Sequence, residues 1–282
     1  MAAKYTCFDV SITDRVALIR FSRPEAFNTF TPEAWVELPA IVREIDRGAS
    51  ARCIVIASSG KHFTAGMDLA VFTRPDGITG ERKDPHLRAE KFRADLRPLQ
   101  DAFTCLDQAR MPVIVCVQGG CVGAGVDLIS ACDIRLATKD AYFCIAEINI
   151  GMTADVGTYP RLCHLMPEGW VRQMSYTGER LPAPKAMALG LVNETFDTQD
   201  AMIEHAMKMG REIASKNPLA VTGAKAMINY ARDHTIADGL DYIGVWNAAM
   251  LSGAHMKEAF MAKAEKREPD YPDLMKLADK PL

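Results

Sequence analysis

The chain has 282 residues, 49% of them apolar and 24% charged. That is enough for a substantial core in one large domain or one and a half. Its net charge of -3 gives no global basic field for nucleic acid or an acidic membrane, and no apolar run is long enough to span a bilayer.

Phe8–Phe21 alternates in polarity and predicts a hairpin turning at Thr13-Asp14-Arg15. A helix follows, with Thr31 as N-cap and Pro32 at its first position, running to about Asp46. Arg52–Ala57 (RCIVIA) reads as a short buried strand that leads straight into Ser58–Leu69, SSGKHFTAGMDL. A strand ending in a glycine- and serine-rich loop offers free backbone N–H groups to an anion or oxyanion, although an ordinary strand-to-helix turn reads the same way. Arg74–Pro85 is a polar surface loop, and His86–Arg110 has the spacing of a long amphipathic helix. Pro112–Val117 (PVIVCV) is a second buried strand that also ends in glycines. Two parallel strands with adjacent glycine-rich ends could each supply one N–H to a single oxygen.

The stretch Gly119–Asp155 holds three acids that folding alone does not ask for. Asp127 lies in a small, apolar run after GGCVGAG, whose glycines suit a tight turn at a helix start. Glu147 follows the apolar segment Tyr142–Ala146, and Asp155 comes next in the series. A burial-prone acid is costly unless it is paired, protonated or working, so three of them mark a candidate active site. Asp155 alone suits a helix N-cap; its company favours an acid/base role. Gly125–Cys132 predicts a helix, and Ile134–Ala137 with Tyr142–Ile145 a strand pair joined by Thr138-Lys139-Asp140. Asp133 ends that helix or pairs with Arg135. The histidines, His62 and His164 included, have no metal-ligand spacing, so no metal is expected. Beyond lie a helix over Arg161–Thr177 broken at Pro167-Glu168-Gly169, a short helix over Pro184–Leu189 and a strand over Leu191–Thr195. Helices over Ala201–Ser215, Pro218–Arg232, Ala237–Leu251 and Met256–Lys266 complete the chain.

The segments SRPEAFNTFT, KHFTAGMDL, GGCVGAGVDLISACDIRLAT, AEINIGMTADVGT and LPAPKAMALGLVNETF, in this order, resemble the enoyl-CoA hydratase/isomerase (crotonase) superfamily. The resemblance implies an α/β fold: a crotonase-like spiral of ββα repeats over 1–199, and a C-terminal helical trimerisation domain over 200–282. It implies a CoA thioester whose carbonyl oxygen sits between the backbone N–H groups of Met67 and Ala124. Arg23, Lys61, Ala65, Gly66 and Asp68 are carried over as CoA-binding positions. No separate cofactor is implied, CoA being part of the substrate, and the expected partners are an acyl-CoA and further copies of the chain, as a homotrimer or dimer of trimers.

Within the family, hydratases have glutamates at the positions of Asp127 and Glu147 and typically glycine at that of Asp155. The present set is similar to the Δ3,5-Δ2,4-dienoyl-CoA isomerases, which carry Asp, Glu and Asp there. Ala146 departs from the proline that many members place before the glutamate. The resemblance implies proton transfer between C2 and C6, with Glu147 at C2, Asp155 at C6 and Asp127 shaping the charge of the pocket. An enoyl-CoA hydratase, a Δ3-Δ2 isomerase and a non-catalytic RNA-binding relative are the alternatives. An RNA binder needs a basic stripe with interleaved aromatics, whereas lysine and arginine are scattered here.

Eight cysteines without a CxxC pair, several in apolar runs, fit buried free thiols in a reducing compartment. The opening MAAKYTCFDVSITD lacks a signal peptide's apolar core and a transit peptide's arginines, and the ending KPL is not an SKL-type signal. The cytoplasm is the expected location.

Overall fold

The computed structural model describes residues 5–71 and 84–278. Except for Asp84 and Pro85, the polar loop Arg74–Pro85 lies outside the described residues.

Strands β1 (Phe8–Thr13) and β2 (Val16–Phe21) form the expected antiparallel hairpin, with Asp14 and Arg15 at positive φ in its turn. Helix α1 (Pro32–Gly48) starts as its sequence dictates: the Ala34 N–H donates to the Thr31 hydroxyl at 3.5 Å, and Pro32 needs no partner there. Strand β3 (Cys53–Ser58) lies parallel to β2. Helix α2 (Pro85–Gln108) is capped by the Asp84 carboxylate, which accepts from the His86 and Leu87 N–H groups. Only its C-terminal part is buried, through Phe103 and Leu106, while Leu87 and Phe92 are exposed.

Strand β4 (Val113–Val117) runs parallel to β3. The chain then forms a three-residue strand β5 (Gly120–Val122), helix α3 (Ala124–Ser130), and strands β6 (Ile134–Thr138) and β7 (Tyr142–Cys144). Helices α4 (Thr158–Leu162) and α5 (Glu168–Thr177), strand β8 (Leu181–Pro182), helix α6 (Ala183–Ala188) and strand β9 (Glu194–Phe196) follow. The expected pairing of the segments now β6 and β7 does not form. Both edges of β6 are taken, by β4 and β9, so the turn after it carries the chain into a second sheet. There β7 pairs with β5 and β8.

The larger sheet, ordered β1-β2-β3-β4-β6-β9, is covered on both faces along its central strands. Along β3, Ile54 and Ile56 face the main core with α1, α2 and α3, while Cys53, Val55 and Ala57 face a second cluster. Double coverage is why RCIVIA and PVIVCV are continuous apolar runs rather than alternating ones. Helix α7 (Gln199–Ala214) closes the second face with Met202, Ala206 and Ala214. Helices α8 (Pro218–Tyr230), α9 (Ile236–Met250) and α10 (Gly253–Glu265) complete the helical region. Asp133 does not pair with Arg135: its carboxylate accepts from Val113 N–H and the buried Lys225 ammonium, while the Arg135 guanidinium goes to the carbonyls of Cys132 and Leu191. All eight cysteines are free, and Cys163 is exposed. Among the described residues no helix is long and apolar enough to cross a membrane.

Candidate active site

The two glycine-containing loops are zipped together by their backbones. Thr64 N–H donates to Gly120 O at 3.2 Å and Val122 N–H to Thr64 O at 3.1 Å; Phe63 N–H reaches Gln118 O at 2.8 Å. On the other side Phe30 brackets Met67, donating to Gly66 O at 2.8 Å and accepting from Asp68 N–H at 3.1 Å. Backbone alternation turns the Met67 N–H away from that bridge. The Ala124 N–H opens α3, where the helix offers it no acceptor. Neither N–H has a hydrogen-bond acceptor among the described residues. The two segments touch because residue 66 is glycine: at φ +89°, a Cβ there would stand 2.8 Å from Val122 O and 3.5 Å from Ala124 N.

Three further groups brace this arrangement. His62 Nδ1 accepts from Gly120 N–H at 2.9 Å, and burial, with Lys61 and Arg180 nearby, holds its pKa below the ordinary value. Buried Asn28 donates to Ser59 O and His62 O and accepts from Arg23 N–H. The Thr64 hydroxyl donates to Asn28 O and accepts from Gly66 N–H. Nothing in the residue pattern marked Asn28, which looks like a loop residue until its left-handed backbone and 1% exposure are seen.

The three acids come from three different elements. Asp127 is one turn into α3 and 1% exposed; its Oδ1 accepts from Thr158 N–H at 2.6 Å and Thr158 Oγ1–H at 2.7 Å. Glu147 opens a single 3-10 turn, Glu147–Ile150. Its Oε2 is buried without a hydrogen-bond partner among the described residues. Asp155 is half-buried in the loop before α4, where the Gln100 side chain holds its carbonyl at 2.8 Å. It does not cap α4: Gly157 stands at the cap position, without a side-chain bond. Asp155 lies on the wall of a cleft of about 850 Å³ that also involves Thr104, Arg161, His164 and Arg232.

All three pKa values are raised. Burial pushes Asp127 up to about 6, with Asp155 adding and the Thr158 bonds and Arg161 opposing. Burial and then the Asp127 charge push Glu147 up to about 7, with Asp155 adding. Burial raises Asp155 against its own backbone N–H. The cluster can therefore hold protons near neutrality, as general acid/base chemistry requires. Thr158, its main polar partner, carried no signal in the sequence: a threonine after glycine is ordinary at a helix start.

Of the positions carried over for CoA, Gly66 is buried where the two loops touch, and the other four fall toward the outer edge of the same loops. Lys61 and Ala65 are exposed, while Arg23 and Asp68 are partly buried and engaged, the first with Thr29 O and the second with Thr29 Oγ1 and Ala70 N–H.

A family model described as Enoyl-CoA hydratase/isomerase matches residues 11–274. The chain is 36% identical over 264 residues to the mitochondrial Delta(3,5)-Delta(2,4)-dienoyl-CoA isomerase of Mus musculus, covering 92% of this chain and 79% of that protein. It is 33% identical over 253 residues to the peroxisomal Delta(3,5)-Delta(2,4)-dienoyl-CoA isomerase of Arabidopsis thaliana, covering 90% and 91%. Among solved structures it is similar to the enoyl-CoA hydratase of Bacillus anthracis, with a TM-score of 0.84, 26% identity and coverage of 95% and 100%. The chain belongs to the enoyl-CoA hydratase/isomerase family.

Proposed function

We propose that the protein is an isomerase of acyl-CoA thioesters that converts a 3,5-dienoyl-CoA into the 2,4-dienoyl isomer. The observation that carries this reading is the cluster of Asp127, Glu147 and Asp155, all with raised pKa values, beside the N–H groups of Met67 and Ala124, which have no acceptor among the described residues. Glu147 takes a proton from C2, and the electron pair spreads as a dienolate onto the thioester oxygen. The two N–H groups stabilise that oxygen by about 3 kcal/mol each. Asp155 delivers a proton to C6, which leaves double bonds at C2 and C4. Two carboxyls are needed because C2 and C6 are too far apart for one short side chain.

The names of the mouse and Arabidopsis relatives support the same reading. Hydration needs two carboxylates to hold one water. Asp127 is shorter than the hydratase glutamate, and its Oδ1 is already committed to Thr158, which disfavours that role. Apolar side chains on the helical region, Ile236, Leu240, Val245, Leu251 and Phe260 among them, are more than half exposed, which supports a homotrimer or dimer of trimers. The cytoplasm remains our proposed location, although the two relatives carry mitochondrial and peroxisomal names.

The direct test is incubation with a 3,5-dienoyl-CoA while following the absorbance of the 2,4-dienoyl thioester. Its appearance supports the assignment; efficient hydration of a 2-enoyl-CoA without it opposes the assignment.

A further inference from the structure

Asp127, 1% exposed, and Glu147, partly buried with its Oε2 enclosed, differ in their hydrogen-bond support. Both polar hydrogens of Thr158, on the backbone nitrogen and on the hydroxyl, are spent on Asp127 Oδ1, and Thr158 is itself 1% exposed. Glu147 Oε2 has no hydrogen-bond partner among the described residues, and the donors that favour Glu147 as the anion are only the backbone N–H groups of its own turn, those of Ala146 and Glu147. The other ionisable groups that act on Asp127 are Asp155 from the preceding loop and Arg161 from α4, with Glu147 from the 3-10 turn and the Cys121 thiol of β5 coupled to its charge. Two desolvated carboxyls that feel each other cannot both be charged at low cost, so one proton enters the pair first.

We propose that Thr158 is a positioning residue that decides where that proton goes: it holds Asp127 as the anion and leaves the first proton to Glu147. The proposal rests on the reading of Glu147 as the base at C2. A carboxylate beside a fixed negative charge is a stronger base than an isolated one, which is what abstraction from C2 requires. Asp127 works through Glu147, and Thr158 works through Asp127.

The same chain of dependence accounts for the geometry. Losing one of the two Thr158 donors would raise Asp127 and bring it closer in basicity to Glu147. A hydrogen bond to a carboxylate shifts its pKa by about one to two units.

The test compares Thr158→Val, which keeps shape and the backbone donor but loses the hydroxyl, with Thr158→Ser, which keeps both donors. In the isomerisation assay, Thr158→Val is expected to move the acid limb of kcat down by about one to two pH units, because Asp127 now takes the first proton and Glu147 loses the part of its rise that comes from the Asp127 charge, while burial keeps the rest. At neutral pH kcat should fall about ten-fold while KM holds, since only the base is weakened. Thr158→Ser should restore both values. Infrared titration of the free protein gives an activity-independent arm. The protonated carboxyl band near neutrality should vanish on Glu147→Gln in the native background, and on Asp127→Asn in the Thr158→Val background. An unmoved acid limb in Thr158→Val, a Thr158→Ser variant that behaves like it, or an infrared band that stays with Glu147 in Thr158→Val overturns the proposal. Absence of isomerisation by the native protein overturns the proposed function instead, and the infrared arm still decides the role of Thr158.

Discussion

The Glu147 carboxylate packs closely against Gly123, so that any side chain there would press on it. A Cβ on Gly123 would stand 3.1 Å from Glu147 Oε1. Gly123 also adopts φ 54° and ψ −120°, a conformation costly for any other residue. The same residue therefore starts α3, exposing the Ala124 N–H, and clears the acid's position beside it. Gly123→Ala is expected to lower kcat/KM by about 10²-fold through misplacement of both groups. It should also destabilise the fold by about 1–3 kcal/mol. Steady-state kinetics and thermal melting read the two effects separately.

Glu147 links stability to pH. Its folded pKa is raised from 4.5 to about 7, so between those values the folded state holds a proton that the unfolded chain has released. Stability therefore falls as pH rises through that window and levels off above it. Glu147→Gln removes the buried charge and should be more stable than the native protein above the window, on the order of 2 kcal/mol. The gain should vanish below it. Melting temperature across pH checks the sign, and activity should fall about 10²–10⁴-fold in the same variant.

Lys225 provides a structural contrast. Its buried ammonium donates to Leu106 O at 2.8 Å and Met111 O at 3.1 Å, and pairs with Asp133 at 2.9 Å. It ties the end of α2 to the entries of β4 and β6. Lys225→Met strands Asp133 and both carbonyls and should cost about 3–5 kcal/mol. Activity per folded molecule should be unchanged, which denaturant melts with active-site titration can measure.

The helical region predicts assembly. Ile236 is 84% exposed, and Leu240 and Phe260 are also well exposed, more apolar surface than a lone surface layer favours. Sedimentation at micromolar concentration is expected to give a trimer or hexamer. A stable monomer would count against the helical region as an assembly surface.

What the sequence revealed and concealed follows from the range of the interactions. The three acids were visible because carboxylates in apolar runs are costly, and β3 and β4 were visible because double coverage writes a continuous apolar string. Strand β5 was hidden, since GCV after a glycine reads as a loop until its partner in Tyr142–Cys144 is known. The partnership of β6 and β7 was misread because adjacency in sequence suggested a hairpin, while the occupied edges of β6 are set by strands far along the chain. Thr158, His62 and Asn28 are common residue types whose importance lies mainly in contacts made more than 30 positions away.

The most direct test of isomerisation is Asp155→Asn, because Asp155 separates the dienoyl reading from a hydratase pair. Gly157 fills the cap position of α4, so the substitution removes a proton carrier without removing a cap. Parallel assays should use a 3,5-dienoyl-CoA and a simple 2-enoyl-CoA. The native protein is expected to isomerise the first and hydrate the second poorly, and Asp155→Asn to lose about 10²–10⁴-fold in isomerisation while keeping its melting temperature. A fully active Asp155→Asn variant, or a native protein that hydrates efficiently and does not isomerise, would contradict the account.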